Sequence, residues 1–302
     1  MTWLYDIMRG FLFEQAFFHQ TLPYPFRFDF VNNALMAAVV IGPLLGVLGT
    51  MVVVKRMAFF SQAIGNAALT GVSIGVLLGE SYTAPYVSMF AFCLLFGIAL
   101  KYTQYRTSLS NDVLIGVFLS ISLAVGASLL LYVSAVINTH VLENILFGSI
   151  LTVNDTDLNV LAAVAAICVL AGLPTYNQML LASLNPSLAD ARGVPVRMLD
   201  YLFVILITLV TVACVKIVGA ILVEALLLIP AAAARNISRS IRGFVLWSVV
   251  ISTLSCFAGI LIPMQYNLPL PSGGAIILVA ASIFVVTTVI RNLASGYREA
   301  RI

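Results

Sequence analysis

A single acidic residue interrupts an apolar run in the last third of the chain. Glu224 lies within VKIVGAILVEALLLIPAAAARNIS, residues 215–238, whose remaining composition is typical of a membrane helix. An ionisable side chain within a membrane span is costly and by default marks a transport pathway or an ion pair. Lys216 lies eight residues earlier, and so about 80° away around a helix. We therefore expect the carboxylate to face either a passing cation or Lys216.

An amide side chain is the second candidate ligand. Asn66 lies in AIGNAALTG, residues 63–71. An amide oxygen is a hard, weak donor that suits manganese or calcium-like cations. Small residues also allow helices in a bilayer to approach closely, and Asn66 would then hydrogen-bond across such a contact. The residue is predicted to serve either as a contact for a cation or as a link between helices.

A third group of polar residues lies in INTHVLENILFGSILTVNDTDL, residues 137–158. His140 and Glu143 are three residues apart, which places them on one face of a helix. With the nearby aspartates they would form an acidic, metal-attracting mouth. The alternative is that Asp155 and Thr156 cap the following helix and that His140 ends the preceding one.

Composition defines the class of protein that must position these residues. Of 302 residues, 62% are hydrophobic and 9% are charged, whereas soluble domains have about 25% charged residues. The N-terminal residues lack the order of a secretory signal peptide. Each of the four cysteines lies alone in an apolar stretch, which indicates packing rather than disulfides or a CxxC metal site. The sequence predicts an all-α integral membrane protein.

The spans follow from apolar stretches of roughly 20 residues, the length that crosses a bilayer as a helix. Two of them are short and adjoin at Gly219, and Pro230 is predicted to break or bend the second. About nine crossings are expected, near 30–54, 57–79, 84–100, 112–137, 158–181, 200–217, 218–234, 243–264 and 273–290.

Orientation follows from the basic residues, because cytoplasmic loops retain Lys and Arg. They fall in alternate connections, at 55–56, 101–106, 192–197, 235–242 and 291–301. These connections and the C-terminus are predicted to be cytoplasmic. Residues 1–29 are predicted to lie on the membrane interface, 30–291 to form the transmembrane domain, and 292–302 to be a cytoplasmic tail. The loops account for the net charge of +3, so nucleic acid is not indicated as a partner.

The longest cytoplasmic connection, 182–199, contains its own helix signals. Asn185, Pro186 and Ser187 are typical of a helix start, and Gly193 is typical of a stop. A short helix parallel to the membrane is predicted, and such a helix offers a rigid contact to a partner.

Four stretches together resemble the permease subunit of bacterial zinc and manganese ABC importers. Singly they are weak signals, but they occur in the family's order. They are KRMAFFSQAIGNAALTGVSIG (55–75), LENILFGSILTVNDTDL (142–158), SLNPSLADARGVPV (183–196) and VGAILVEALLLIPAAAAR (218–235). The resemblance implies a type II ABC importer permease in the inner membrane, with a cytoplasmic coupling helix.

The resemblance also implies partners and cargo. The expected partners are two ABC ATPase subunits, an identical or homologous second permease, and an extracytoplasmic substrate-binding protein. The cargo is a divalent metal ion, manganese, zinc or iron, and the chain binds no cofactor. By position, Pro186, Ala189, Arg192 and Gly193 would contact the ATPase. ATP hydrolysis is assigned to that subunit because this sequence has no GxxxxGK[ST].

Two residues depart from the family pattern and keep alternatives open. Relatives typically place a histidine at the position of Asn66 and a small or hydroxyl residue at that of Glu224. A metal chelate or another small nutrient is therefore an alternative cargo. A secondary transporter coupled through Glu224 is less favoured because of the coupling-like loop, and an intramembrane enzyme lacks a catalytic pair.

Overall fold

The computed structural model describes residues 29–80, 85–134, 150, 153–266 and 271–299, and within this part the chain is helical without strands. Nine of the described helices, all except the six-residue α6, are long and apolar enough to cross a membrane. The helices are α1 Asp29–Lys55, α2 Phe60–Leu77, α3 Tyr86–Arg106, α4 Asn111–Ser134, α5 Asp155–Leu184, α6 Pro186–Ala191, α7 Val196–Val218, α8 Ala220–Ile237, α9 Ile241–Gln265 and α10 Ser272–Glu299.

The nine predicted spans are confirmed, and several helices run beyond their apolar limits. The helix α7 begins at Val196 and has 23 residues, so it is not short. The helix α10 continues to Glu299 and includes most of the segment predicted to be a tail. Helical hydrogen bonding continues past the hydrocarbon region wherever no residue stops it. Residues 1–28, together with His140 and Glu143, lie outside the described residues.

Proline does not end the helices in which it occurs here. The helix α8 continues past Pro230 to Ile237, so the predicted break at that residue is wrong. Prolines also lie inside α1, α5 and α9. A proline removes one backbone hydrogen bond, but in an apolar surrounding the remaining backbone groups have no better partners than those within the helix.

The chain divides into two compact units. The first comprises Met1–Thr50, Ser149–Ala162 and Ala225–Ile302, and its described part holds α9, α10 and most of α1 and α8. The second comprises Met51–Gly148 and Ala163–Glu224, and it holds α2, α3, α4, α6, α7 and most of α5. Asn66, Glu224 and the coupling loop all belong to the second unit.

In the first unit, α1 packs against α9 through glycine. A Cβ atom added to Gly46 would lie 2.8 Å from the Cα atom of Val249. The same turn of α1 is held by a hydrogen bond, since Ser248 Oγ donates to the carbonyl oxygen of Gly46 at 2.8 Å. The small residue is therefore required for two helix backbones to approach, as is common in membrane proteins.

Replacing Gly46 by Ala is expected to lower the stability of the protein. The added methyl group would push against helix backbone, and such overpacking typically costs about 1–3 kcal/mol. Thermal unfolding of the purified protein in detergent measures this. The matched control is Gly116→Ala, because a Cβ atom there meets nothing within 4 Å. Equal unfolding temperatures for the two variants would contradict the close approach.

In the second unit, α2 packs between α3 and α4 through small and hydroxyl residues. Thr70 Oγ1 donates to the carbonyl oxygen of Ser122 at 3.3 Å, and Ser122 Oγ donates to that of Ala63 at 3.4 Å. On the side facing α3, a Cβ atom added to Gly71 would lie 2.9 Å from the Cα atom of Met89. These contacts fix the position of the turn of α2 that carries Asn66.

Candidate functional site

The junction between α7 and α8 is a helix break at one residue. Gly219 has φ 87° and ψ 156°, a conformation that only glycine adopts without strain. Its N–H group donates to the carbonyl oxygen of Val215 at 2.9 Å, and its own carbonyl accepts from the N–H group of Val223 at 3.2 Å. The predicted break at Gly219 is therefore confirmed, and both backbone groups of Gly219 are hydrogen-bonded.

The helix α2 approaches this junction at the residue before Asn66. A Cβ atom added to Gly65 would lie 3.1 Å from Ala220 Cβ and 3.9 Å from a methyl carbon of Val215. Glu224 follows Ala220 by four residues, so it lies on the same face of α8 and about 6 Å further along the axis. The fold thus brings the neighbourhoods of Asn66 and Glu224 together, although they are far apart in sequence.

Glu224 is half-buried and its carboxylate makes no hydrogen bond or ion pair with any residue that the structure describes. Lys216 is engaged elsewhere: its ammonium donates to the hydroxyl group of Tyr86 at 3.1 Å and lies 4.4 Å from the centre of that ring. Within the described part of the chain, the Lys216–Glu224 pair does not form. The carboxylate remains open to a ligand.

Asn66 is also half-buried, and its side-chain amide has no hydrogen bond to another described residue. The polar links between α2 and α4 are made by Thr70 and Ser122 instead. Around the axis of α2, Asn66 lies between the side that contacts α4 and the side on which Gly65 contacts Ala220. Its amide is therefore not used to join the helices to one another.

A multi-ligand metal cluster is not seen in the described residues, where His, Cys, Asp and Glu nowhere gather in groups of three or more. The four cysteines are buried and none of them is part of a disulfide, as expected for packing residues. Asn66 and Glu224 would together offer one amide oxygen and one carboxylate, and water would complete the coordination of an ion. Such weak binding suits an ion that must also leave.

The acidic start of α5 has a structural role. Asp157 is only 8% exposed, and one of its carboxylate oxygens accepts from the N–H group of Asn154 at 3.2 Å. An acidic side chain that reaches back to the N-cap residue in this way stabilises a helix start. Asp157 thus caps the start of the helix through Asn154, and the cap predicted at Asp155 and Thr156 stays a prediction.

The short helix predicted in the connection 182–199 is present as α6. The side chain of Asn185 accepts from the N–H group of Leu188 at 3.1 Å, and Pro186 occupies the first turn. Gly193, with φ 72°, closes the other end, where the N–H group of Val194 donates to the carbonyl oxygen of Ala189 at 3.0 Å. A six-residue helix is too short to be stable alone, so these caps and its packing hold it.

Exposure divides the four residues predicted to contact an ATPase. Pro186, Arg192 and Gly193 are exposed, whereas Ala189 is 0% exposed. The prediction for Ala189 is therefore corrected: its methyl group faces inward and holds α6 against the chain. The surface that a partner can reach is formed by the other three residues and their exposed neighbours.

A charged cluster near this segment was missed from the sequence. Lys55 Nζ lies 2.6 Å from Asp200 Oδ1, and Lys101 Nζ lies 2.8 Å from Asp200 Oδ2. Tyr105 donates its hydroxyl group to Asp200 Oδ2 at 2.8 Å. The lysines are contributed by different helices, so no spacing in the sequence marks the cluster. The sequence showed only that each lysine lies at the end of an apolar span.

By class, the chain is a multi-pass, all-helical membrane permease: nine described helices can span a membrane, two of them are separated by a single glycine, and an exposed capped helix connects two spans. It belongs to the ABC 3 transport family, which its sequence matches over residues 27–291.

Several relatives of the chain are membrane proteins of metal import systems. It is 33% identical to the manganese import system permease protein ScaB of Streptococcus gordonii, over 86% of this chain and 91% of that protein. It is 30% identical to the high-affinity zinc uptake system membrane protein ZnuB of Haemophilus influenzae, over 86% and 97%. The solved structure of PsaBC from Streptococcus pneumoniae in complex with Fab aligns with a TM-score of 0.74 and 31% identity, covering 93% of this chain and 95% of that one.

Proposed function

We propose that the chain is the membrane-spanning subunit of an ATP-driven importer for a divalent metal ion. The observation that carries this proposal is the similarity to manganese and zinc import permeases along almost the whole chain, at 33% and 30% identity. The exposed, capped α6 supports it, because a channel driven by an ATPase needs a rigid contact for that subunit.

The proposed assembly contains two such permeases, identical or homologous, with two ATPase subunits and an extracytoplasmic substrate-binding protein. The connections that carry Lys and Arg, together with the C-terminus, lie on the cytoplasmic side of the inner membrane by the distribution of positive charge. In this arrangement Pro186, Arg192 and Gly193 face the ATPase. His140 and Glu143 would lie at the outer mouth.

Within the second unit, Asn66 and Glu224 are proposed to line the ion pathway. Both are half-buried and their polar groups are unpaired among the described residues, which leaves oxygen atoms available to a cation. Carboxylate and amide oxygens are hard ligands that favour manganese, whereas zinc favours histidine and cysteine. We therefore propose manganese as the preferred cargo, with zinc as the second.

Metal accumulation in cells tests the cargo. Cells that lack their own manganese and zinc importers receive this permease with its ATPase and binding protein, and uptake of manganese, zinc and iron is compared. Manganese is expected to accumulate most. If none of the three ions accumulates, the proposal of a bare divalent cation is wrong, and uptake of a chelate would then identify the cargo.

The variant Asn66→His is expected to shift uptake toward zinc. A neutral imidazole is a better zinc ligand than an amide oxygen, so the ratio of zinc to manganese uptake should rise by about tenfold, a change that corresponds to about 1.4 kcal/mol. The matched control is Gln62→His, one turn earlier on α2 and also half-buried. An equal shift in both variants would show that the position of Asn66 is not special.

A further inference from the structure

Asp200 connects the ends of three helices in the second unit. It is the fifth residue of α7, and it accepts from Lys55 at the end of α1 and from Lys101 and Tyr105 in the last two turns of α3. The side chains of Lys55, Lys101 and Asp200 are only 10%, 7% and 16% exposed. Three charge-assisted hydrogen bonds in a largely buried site fix the positions of these helix ends relative to one another.

Further contacts extend this cluster along the same helix ends. Lys101 donates to the side-chain oxygen of Gln104 at 3.0 Å, and Gln104 in turn bonds to Asn111 at the start of α4. The rings of Tyr105 and Tyr201 lie 5.9 Å apart. The ammonium group of Lys55 lies 5.3 Å from the centre of the Phe203 ring. Together these contacts join α1, α3, α4 and α7 near the same helix ends.

The cluster lies next to the coupling helix in the chain. Four residues, Arg192 to Pro195, separate α6 from α7, and Asp200 is in the second turn of α7. The backbone bond from Val194 to Ala189 shortens this connection further. A displacement of α6 is therefore transmitted to the same turns of α7 that the two lysines hold.

The helix α7 links the cluster to the proposed ion pathway. From Asp200 to Val215 it runs about 22 Å at the rise of an α-helix. At Val215 it meets Gly65, the residue before Asn66, and Gly219 then leads into the helix of Glu224. One continuous, deeply buried helix thus has the charged cluster at one end and the polar pair at the other.

We propose that Asp200 is a positioning residue for energy coupling, which makes the ends of α1, α3 and α7 move as one body when the ATPase displaces α6. This inference rests on the proposed function of an ATP-driven importer. Without the carboxylate, two lysines in a largely buried site repel each other. The helix ends then separate, and motion of α6 no longer reaches the turn of α2 that carries Asn66.

The ratio of transport to ATP hydrolysis tests this role. The complete importer is reconstituted in lipid vesicles as wild type, Asp200→Asn, Asp200→Glu and Lys101→Met, and manganese uptake and ATP hydrolysis are measured together. Asp200→Asn should lower the number of ions taken up per ATP by about fivefold or more, the usual range for loss of coupling between sites. Asp200→Glu should keep most of the ratio, and Lys101→Met, which retains the Lys55–Asp200 pair, should lower it less than Asp200→Asn.

Two results would overturn the proposal. One is an unchanged ratio in Asp200→Asn. The other is a parallel loss of uptake and hydrolysis together with loss of the ATPase from the purified complex, which would indicate a merely structural role. If Asp200→Asn does not fold, an unchanged ratio in Lys101→Met overturns the proposal by itself. The control Arg291→Met alters a basic residue that bonds to Asn236 in the first unit, and its ratio should not change.

Failure of the proposed function gives a different result. If the wild-type importer takes up neither manganese nor zinc, the cargo is wrong. The coupling role is then measured as the stimulation of ATP hydrolysis by the substrate-binding protein. That stimulation should be lost in Asp200→Asn and retained in Asp200→Glu, and equal stimulation in both would contradict the role of Asp200.

Discussion

Replacing Glu224 by Gln is expected to reduce metal uptake by about tenfold or more, since about 1.4 kcal/mol of lost stabilisation of the passing ion has this effect on a rate. The carboxylate is half-buried and unpaired among the described residues, and Lys216 is occupied by Tyr86. Glutamine keeps the size of the side chain and removes its charge. Because an ionisable group in a membrane span is costly, the variant should fold at least as well as the parent.

Uptake of manganese by the reconstituted importer measures the effect, with ATPase association as a check on assembly. The matched control is Glu80→Gln, because Glu80 lies three residues beyond the end of α2 and its carboxylate already accepts from the N–H group of Ser88 at 3.3 Å. We expect uptake by this control to stay within about twofold of wild type, because that carboxylate already has a partner within the chain. Wild-type uptake in Glu224→Gln would exclude Glu224 from the pathway.

Replacing Ala189 by Leu is expected to separate the ATPase from the permease. The side chain of Ala189, on the inward side of α6, is fully buried. A larger side chain there costs about 1–3 kcal/mol by overpacking. A helix of six residues has little stability of its own. We therefore expect α6 to leave its place, and both ATPase co-purification and ATP-dependent uptake to fall to a small fraction of wild type.

The matched control for this variant is Ala91→Leu, the same substitution at an exposed position of α3, outside the segment that contains α6. It adds the same side chain away from the surface proposed to face the ATPase, so ATPase association should be largely retained. Retention of the ATPase by Ala189→Leu, or an equal loss in both variants, would mean that Ala189 does not hold the helix in place.

Much of the fold was accessible from sequence because hydrophobic length and charge placement directly reflect the bilayer. The nine spans and the short capped helix before Gly193 are local features, each defined by a few consecutive residues. Gly219 was recognised for the same reason, since a glycine between two apolar runs is a local signal. The break predicted at Pro230 is absent because a membrane environment maintains helical hydrogen bonding through an isolated proline, and the alternative, a bend, stays a prediction.

The features that could not be predicted depend on contacts between distant segments. Nothing in the six residues of α6 shows which side faces inward, so the burial of Ala189 required the fold. The cluster around Asp200 draws its charges from three helices, and each lysine alone was read as a marker of topology. The approach of Gly65 to Ala220, which relates Asn66 to Glu224, is likewise a packing result.

In the proposed function, this permease moves a divalent metal ion at the expense of ATP. The most direct test is uptake of radioactive manganese into vesicles that contain the permease, its ATPase and the substrate-binding protein. We predict uptake that requires ATP, is stronger for manganese than for zinc, and is lost in Glu224→Gln. Uptake that continues without ATP would contradict this function. ATP hydrolysis without uptake of either metal would contradict it as well.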